Sequence, residues 1–341
     1  MHWPRTPSTL VTLLFALPLF GLPGAGPTSV APASPLSGLP GAASTSVVEF
    51  PLPHPDSRPY TAVAGRNGNL WFTESNRGVI GEMSRTGQVK EHPLPDPGSG
   101  PYGITLGADR NIWFTERFAD QIGRITHDGV ITEFFVPTPN AQPWDITALP
   151  DGTFWFTEEN VDQVAVIDSS GNVTEYPTGE GTLPTFITTG PDGNVWFTEE
   201  LGNKIVRLEP GNPPDPPVLT EFPLLTEGAL PWDINPGPDG NLWFTELAGR
   251  HIGKITPQGV ITEYPVDGEY GIASIASSRR DDNRLWFTEN DSGLVGSITT
   301  NGVVGQRFGT SAYPFAITAG PDGNMWFCIG YGNAIGRVTL P

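Results

Sequence analysis

Short apolar runs recur along the chain, and clusters of turn residues separate them. The unit that begins at Pro231 shows the pattern: Pro-Trp-Asp-Ile, a Gly-Pro-Asp-Gly-Asn turn, and then Leu-Trp-Phe-Thr-Glu. The Asp-Gly pair supplies the positive-φ positions that a tight hairpin needs. Two further β-like runs follow at residues 251–255 and 260–265, and none of these runs has a helical period. The pattern predicts four consecutive antiparallel strands.

This unit is repeated, and its clearest marker is a Trp-Phe pair spaced by 40 to 47 residues. A four-stranded repeat of this length is typical of a propeller blade, because each small sheet can bury its faces only against its neighbours. We therefore predict an all-β fold, a seven-bladed β-propeller of four-stranded blades over residues 46–341. The pairs begin at Trp71, Trp113, Trp155, Trp196, Trp243, Trp286 and Trp326.

The two ends of the repeat array predict how the ring closes. The seventh unit stops after residues 335–338 and has no fourth strand of its own. The matching run, Val-Val-Glu-Phe-Pro at residues 47–51, lies at the other end and resembles Val-Thr-Glu-Tyr-Pro at residues 173–177. We predict that the N-terminal strand completes the last blade, which removes an exposed sheet edge. An open β-solenoid is the alternative, but it gives no reason for this displacement.

The first 45 residues differ in composition from the repeats. Residues 1–33 have the features of a secretion signal: Arg5, an apolar stretch over residues 10–22, and an Ala-Pro-Ala motif that ends at Ala33. Residues 34–45 are rich in Pro, Gly, Ala and Ser and are predicted to form a linker. We expect a secreted or extracytoplasmic protein without stable membrane insertion, because the apolar stretch is short for a membrane span.

Charge and cysteine content exclude several classes of function. The chain has 18 basic and 37 acidic side chains and a formal net charge of -19, which repels phosphate backbones, so nucleic acid is not an expected partner. Cys328 is the single cysteine, which excludes an intrachain disulfide and a multi-cysteine metal cluster. The 42 Gly and 37 Pro residues disfavour a helical bundle. The expected state is a monomer.

One face of the predicted ring carries the candidate binding residues. The inner strand of a blade starts on the face where the second strand ends, so the residue after the first Pro of each inner strand should surround the mouth of the central channel. Aromatic rings there would stack against a small molecule, a peptide or a glycan. The alternative is that the rings only plug the channel. The aromatic residues at this position are Tyr60, Tyr102, Trp144, Trp232 and Phe315.

Carboxylates lie on the same predicted face. The Glu of Trp-Phe-Thr-Glu recurs in six blades, and this recurrence favours a structural role as a tie between blades. Four other carboxylates break the symmetry, and together they could supply oxygen ligands for Mg²⁺ or Ca²⁺. The alternative is that they are solvated acids of an acidic protein. These candidate metal ligands are Asp145, Glu159, Glu200 and Asp233, and two candidate general bases on this face are His54 and His251.

The blade pattern also resembles that of a known family. Pro-x-x-Ile-Thr-x-Gly-Pro-Asp-Gly-Asn-Leu-Trp-Phe-Thr-Glu, followed by Ile-Gly-Arg-Ile and Ile-Thr-Glu-Tyr-Pro, is similar to the streptogramin B lyase family, also called virginiamycin B lyase-like propellers. The resemblance covers about residues 46–341 and implies a seven-bladed propeller. In the characterised lyases, the activity is a metal-assisted elimination that opens a cyclic depsipeptide antibiotic at its ester.

The resemblance further implies which positions would be catalytic, and this chain departs from the family at each of them. The family has Glu-Pro-His at the start of the last inner strand, with the Glu on Mg²⁺ and the His as general base. The matching residues here are Tyr313-Pro314-Phe315. A second metal-binding Glu corresponds to Gly330, and a second His corresponds to Ala273. The resemblance therefore implies a propeller that lacks the catalytic set of the lyases.

These observations are compatible with three alternative functions. The first is a secreted binding protein that takes a ligand or partner on its aromatic and acidic face without lyase activity. The alternative is a metal-dependent lyase or lactonase-type enzyme that acts on a cyclic ester through a relocated site at the four carboxylates. A purely structural module follows if the aromatic rings only fill the channel. The sequence does not identify a cofactor, and Mg²⁺ or Ca²⁺ would serve the enzyme hypothesis.

Overall fold

The computed structural model describes residues 45–211, 215–268, 271–280 and 282–340. The predicted secretion signal, and all of the predicted linker except Thr45, lie outside these residues. The described part of the chain consists of β-strands, their connections and a 3₁₀ turn at Glu159–Val161. Within it, no helix is both long and apolar enough to cross a membrane.

The described residues form seven antiparallel sheets of four strands each, which confirms the predicted seven-bladed propeller. In the first six blades the strands follow one another in chain order. Blade 1 contains β2 (Pro59–Ala64), β3 (Leu70–Glu74), β4 (Val79–Met83) and β5 (Val89–Pro93), blade 2 contains β6 (Pro101–Leu106), β7 (Ile112–Glu116), β8 (Gln121–Ile125) and β9 (Ile131–Phe135), and blade 3 contains β10 (Pro143–Ala148), β11 (Phe154–Glu158), β12 (Gln163–Ile167) and β13 (Val173–Pro177). Blade 4 contains β14 (Pro184–Thr189), β15 (Val195–Glu199), β16 (Lys204–Glu209) and β17 (Val218–Pro223), blade 5 contains β18 (Pro231–Pro236), β19 (Leu242–Glu246), β20 (His251–Ile255) and β21 (Ile261–Pro265), and blade 6 contains β22 (Ile272–Ser277), β23 (Arg284–Glu289), β24 (Leu294–Thr299) and β25 (Phe308–Gly309).

The seventh blade is built from both ends of the repeat array, as the sequence predicts. Its strands are β26 (Pro314–Ala319), β27 (Met325–Ile329), β28 (Ala334–Thr339) and β1 (Ser46–Pro51). The N-terminal strand β1 runs antiparallel to β28, with Ser46 opposite Thr339 and Pro51 opposite Ala334. The N-terminal strand therefore closes the ring.

An aromatic contact holds β1 against blade 7. The ring of Phe50 stacks on the indole of Trp326, with 5.5 Å between the ring centroids and 19° between the planes. The Arg337 guanidinium lies over both rings, 5.3 Å from Phe50 and 5.2 Å from Trp326. Other blades use the same contact within one continuous segment, for example Tyr264 of the fourth strand on Trp243 of the second at 5.6 Å. The strand β1 thus replaces a fourth strand in packing as well as in hydrogen bonding.

The turn residues and the Trp of the second strand act together. In blade 5, Trp243 Nε1 donates a hydrogen bond to Asp239 Oδ1 at 3.0 Å, and the other oxygen of this carboxylate accepts from Asn241. A Cβ at Gly237 would come within 2.4 Å of the indole, so only Gly fits at this position. The Gly-Pro-Asp-Gly-Asn turn therefore orients the core Trp that follows it. The same bond joins Trp113 to Asp109, Trp196 to Asp192 and Trp326 to Asp322.

A Thr hydroxyl joins each of the first six blades to the next one. The Thr of Trp-Phe-Thr-Glu is fully buried, and its Oγ1 donates to the backbone carbonyl of the channel-mouth residue in the following blade. Thr115 donates to Trp144 at 2.9 Å, and Thr198 donates to Trp232 at 2.7 Å. The recurrence of the neighbouring Glu predicts that Glu makes this tie, and that prediction is wrong, because its partners lie within its own blade: Glu199 pairs with Lys204 and Glu246 pairs with His251. The donors are Thr73, Thr115, Thr157, Thr198, Thr245 and Thr288.

Blade 7 departs from this pattern. Cys328 occupies the Thr position, is fully buried, and packs in a cluster with Leu70 and Phe72 of blade 1. Burial raises the pKa of its thiol well above the usual value, so the thiol stays neutral. Because a thiol is a weak hydrogen-bond donor, the joint between blades 7 and 1 is weaker at this point than the other six.

Replacing Phe50 with Ala is expected to destabilise the ring more than replacing Val48 with Ala. The first change removes the aromatic contact that holds β1 and should lower the free energy of unfolding by about 2 kcal/mol, less than for a fully buried ring. Val48 lies on the same strand but is 38% exposed, so Val48→Ala is the matched control. Denaturant unfolding followed by Trp fluorescence measures both variants. Equal stability of the two would contradict the role given to Phe50.

Candidate functional site at the channel mouth

The five aromatic residues predicted at the channel mouth lie in one cluster. The ring centroids of Tyr60 and Tyr102 are 4.2 Å apart, and those of Tyr60 and Phe315 are 4.5 Å apart. Trp144 contacts Tyr102 edge-on at 5.2 Å and contacts Trp232 at 5.5 Å. We call these five residues the mouth cluster. Its contacts run without interruption from blade 7 through blades 1, 2 and 3 to blade 5.

Part of the mouth cluster is accessible to solvent. Tyr102 and Trp144 are buried, whereas Tyr60, Trp232 and Phe315 are partly exposed. Burial raises the pKa of Tyr60 well above its usual value, so its hydroxyl stays neutral. The rings therefore fill the mouth and also present an aromatic surface at it.

A β-bulge places each mouth residue. In blade 3, Pro143 pairs with Glu158, and the register then shifts before the next pair, so Trp144 leaves the regular ladder. The inner strands of blades 1, 2, 4, 5 and 7 have the same shift after their first Pro. Phe186 also reaches the cluster, with its ring centroid 6.4 Å from that of Trp144. The sequence places the second residue of each inner strand at the mouth. It does not predict the contact of Phe186, because Thr185 occupies this position in blade 4.

A cation lies over the mouth cluster. The Arg117 guanidinium is 4.2 Å from the centroid of the Trp144 ring and 5.1 Å from that of Tyr102, which is a cation–π geometry. Arg117 also forms an ion pair with Glu159, and both side chains are largely buried. Burial and the charge of Glu159 raise the pKa of the nearby Glu200 to about 7. Arg117 was not predicted, although it follows Trp-Phe-Thr-Glu in its blade as Glu159 and Glu200 do in theirs.

Two indole N–H groups of the cluster lack an acceptor. Nε1 of Trp144 and Nε1 of Trp232 are buried, and neither donates a hydrogen bond to a described residue. A buried donor without a partner costs about 1–3 kcal/mol, so such groups are few in native proteins and call for an explanation. Nε1 of Trp286 also lacks an acceptor among the described residues, but it lies away from the mouth, in the core between blades 6 and 7.

The structure does not bring the four predicted metal carboxylates together as one site. Asp145 Oδ2 accepts a hydrogen bond from the backbone N–H of Ile187 in the next blade at 3.2 Å. Asp233 Oδ2 accepts from Ser274 Oγ and from the N–H of Ile275, the latter at 2.9 Å, again in the next blade. These two aspartates therefore tie inner strands together.

The remaining carboxylates and the candidate base His54 lie in different places. Among the described residues, no three of the four carboxylates bring ligand atoms within 4.8 Å of one another. Glu159 is paired with Arg117, and Glu200 lies near this pair. The candidate base His54 is exposed and pairs with Glu91, 2.9 Å away. Glu159 and Glu200 thus lie close to the Arg117 side chain that covers the mouth cluster, and binding of Mg²⁺ or Ca²⁺ by the four carboxylates stays a prediction.

In blades 2 and 3 the Glu that ends the second strand is buried without a positive partner among the described residues. Glu116 and Glu158 are fully buried, and no basic side chain of the described residues forms an ion pair with either carboxylate. Burial raises the pKa of Glu116 to about 7. Burial, together with the charge of Glu175 on the outer strand, raises the pKa of Glu158 to about 8. Both carboxyls therefore carry a proton at mildly acidic pH.

The ring of seven blades and its aromatic mouth define the class of the protein, a closed β-propeller with one residue of each blade at the channel mouth. The chain belongs to the virginiamycin B lyase family, whose model matches residues 45–304 and 216–341. A solved streptogramin B lyase structure is 34% identical to the chain, covers 87% of this chain and 98% of its own, and superposes with a TM-score of 0.81.

Further solved structures agree with this assignment. Two structures of virginiamycin B lyase from Staphylococcus aureus are 33% identical, cover 87% of this chain and 100% of their own, and give a TM-score of 0.80. One of them is a catalytically inactive variant with quinupristin. A structure of a putative gluconolactonase, at 14% identity and a TM-score of 0.56, is similar in fold alone. No sequence among the curated proteins matches the chain.

The stability of the native protein is expected to fall as pH rises from about 5 to 8. The folded-state pKa values of Glu116 and Glu158, about 7 and about 8, exceed the value of about 4.3 for an unfolded chain, so the native state holds more protons in this window. Glu158→Gln keeps a neutral side chain and removes one titration, so the pH dependence should become shallower. Urea unfolding at several pH values measures this slope, with the exposed Glu180→Gln as control. A wild-type stability that increases over this range would refute the prediction.

Proposed function

We propose that the protein is a ligand-binding member of the virginiamycin B lyase family that acts outside the cytoplasm and does not open the streptogramin B ring. The ligand is a small molecule, a peptide or a glycan with an apolar or planar surface, and a monomer binds it at the channel mouth. The observation that carries this proposal is the pair of buried indole N–H groups without acceptors in the mouth cluster.

The mouth offers three kinds of complementary contact. The partly exposed rings of Tyr60 and Phe315 supply area for stacking. The indole N–H groups of Trp144 and Trp232 supply donors that an ester or amide carbonyl of the ligand would satisfy once the rings shift to admit it, because both nitrogens are shielded from solvent. The Arg117 guanidinium supplies a polar contact at the rim. A cyclic depsipeptide, such as the quinupristin seen with the Staphylococcus aureus relative, combines carbonyl groups with apolar side chains.

The positions that the resemblance implies as catalytic have side chains of other chemistry. Tyr313 is 46% exposed and packs edge-on against Tyr331 at 5.7 Å, and Phe315 belongs to the mouth cluster. Gly330 has no side chain, and Ala273 is buried at the bulge of the sixth inner strand. None of the four matching positions supplies a carboxylate or an imidazole, which supports a function without ring opening.

A metal-dependent lyase or lactonase-type enzyme with a relocated site is the weaker candidate. Three of its four carboxylates would have to leave their present partners, because Asp145 and Asp233 bond the next blade and Glu159 pairs with Arg117. A hard cation requires several oxygen ligands that point to one place. The binding function leaves these contacts between blades in place.

Removal of the two mouth N–H groups is expected to weaken binding of quinupristin. Trp144→Phe and Trp232→Phe keep an aromatic ring and remove one donor each, and the loss of a hydrogen bond of about 1 kcal/mol raises the Kd about fivefold per substitution. Trp286→Phe removes an equally unpartnered N–H away from the mouth and is the matched control. Isothermal titration calorimetry measures all three variants. Failure of the wild type to bind, or equal weakening by Trp286→Phe, would refute this ligand class at this site.

The wild-type protein is expected to leave quinupristin cyclic in the presence of Mg²⁺. Elimination at the ester breaks a carbon–oxygen bond and moves a proton to the carboxylate, so the linear product has an unchanged mass and must be detected by chromatography with fragmentation. The triple variant Tyr313→Glu, Phe315→His, Gly330→Glu restores three of the family's four residues and leaves Ala273 unchanged, and a Cβ at Gly330 meets only ordinary contacts at 3.5 Å or more. Ring opening by the variant would define the missing groups, whereas ring opening by the wild type would contradict the proposal.

A further inference from the structure

A cluster of nitrogen and oxygen ligand atoms lies at one end of blade 5, outside the mouth cluster. The strand β19 ends at Glu246, β20 begins at His251, and β21 carries Glu263. Each of these side chains offers one ligand atom, and the three atoms lie within 4.8 Å of one another. His251 Nδ1 is 3.2 Å from Glu246 Oε2. We call these three residues the blade 5 triad.

The Glu246 carboxylate of the triad lies in the protein interior. The residue is fully buried, and its Oε1 accepts no hydrogen bond from the described residues. A Cβ at Gly249 would come within 2.1 Å of Oε2, so glycine keeps the space beside this oxygen clear. A buried carboxylate oxygen is costly unless a proton, a donor or a cation reaches it. The position therefore has the chemistry of a ligand that points into a protected site.

Of the other two side chains of the triad, Glu263 is held by hydrogen bonds and His251 is accessible to solvent. Glu263 Oε1 accepts hydrogen bonds from the N–H groups of Leu225 and Thr226, the first at 2.9 Å, and its Oε2 accepts from Thr226 Oγ1 at 2.7 Å. Bonds of this kind fix the orientation of a metal-binding carboxylate. The His251 side chain is 26% exposed, which leaves a path from solvent to the triad.

The equivalent place in blade 4 holds a cation that belongs to the protein. Lys204 begins β16 as His251 begins β20, and its Nζ lies 3.2 Å from Glu199 Oε2 and 2.9 Å from Glu221 Oε2. These two glutamates have the same places in the strand registers of blade 4 as the two carboxylates of the triad have in blade 5. The scaffold therefore accommodates a positive charge between the two carboxylates at this end of a blade.

We propose that Glu246, His251 and Glu263 bind a divalent transition-metal ion, with Zn²⁺ the best match to the donor set. One imidazole nitrogen and two carboxylate oxygens are donors that zinc accepts, whereas Mg²⁺ and Ca²⁺ prefer all-oxygen sites. Two carboxylates and a neutral imidazole balance the charge of the ion. Three protein ligands leave one position of a tetrahedral site for water. The ion links β19, β20 and β21, as Lys204 links the equivalent strands of blade 4.

The competing arrangement is an ion pair between a protonated His251 and the two carboxylates, and one substitution separates the two. His251→Lys introduces the residue that blade 4 uses at this place, so it retains a positive charge next to the carboxylates and removes the imidazole ligand. His127→Gln is the matched control, because His127 is an exposed histidine with its Nδ1 2.9 Å from Asp128. The full chain is first freed of metal with a chelator.

Titration calorimetry with Zn²⁺ is expected to show about one bound ion per chain for the wild type and for His127→Gln. Loss of a metal ligand should weaken binding by at least about 100-fold in His251→Lys, since even the loss of an outer hydrogen-bond partner costs 10- to 100-fold. Zn²⁺ should raise the melting temperature of the wild type but not of His251→Lys. Co²⁺ should give visible absorption bands only when His251 is present.

Two results would overturn the proposal. One is equal affinity of the wild type and His251→Lys for Zn²⁺, which would place any bound ion elsewhere on this acidic chain. The other is a wild type that does not bind Zn²⁺ or Co²⁺, which would leave the ion pair as the function of His251. Circular dichroism of His251→Lys checks that the variant keeps the fold, and Mg²⁺ in place of Zn²⁺ checks that the effect is specific to a transition ion.

Discussion

The hydrogen bond from a Thr hydroxyl to a carbonyl of the next blade is the contact on which the ring and its mouth both depend. The accepting carbonyl belongs to the mouth residue itself, as in the bond from Thr115 to Trp144. The bond that joins two blades therefore also fixes the backbone from which an aromatic side chain projects. Because the hydroxyl is fully buried, water does not compete for it. In blades 2 to 7, the backbone of the mouth residue is thus held by the second strand of the preceding blade.

The ring can be predicted from the sequence because the number of blades equals the number of repeats. Its closure can be predicted too, because no fourth strand follows β28 and the matching strand is β1. The mouth positions can also be predicted, since each follows the first residue of an inner strand. Arg117 cannot be placed by such a rule, because its contact with Trp144 depends on how two blades meet. The same limit applies to Asp145, whose carboxylate could face a ligand or a backbone N–H, and the packing of the next blade selects Ile187.

The buried Glu at the end of the second strand has a different neighbouring side chain in successive blades. The first residue of the third strand is Gln163 in blade 3, Lys204 in blade 4 and His251 in blade 5, and each lies beside the Glu that ends the second strand. The neighbour is thus an amide, an ammonium group and an imidazole in turn, at the same position of the third strand. The same fold therefore presents a different functional group at this position in each of these blades.

The joint between blades 7 and 1 is the seam of the ring, because Cys328 replaces the Thr donor there and β1 supplies the last strand from the other end of the chain. At the mouth, this seam is crossed by the contact between Phe315 and Tyr60, whose ring centroids are 4.5 Å apart. Any widening of the seam separates these two rings. A molecule that contacts both rings would oppose this separation. Binding at the mouth and the resistance of the propeller to mechanical opening are therefore linked at the contact between Phe315 and Tyr60.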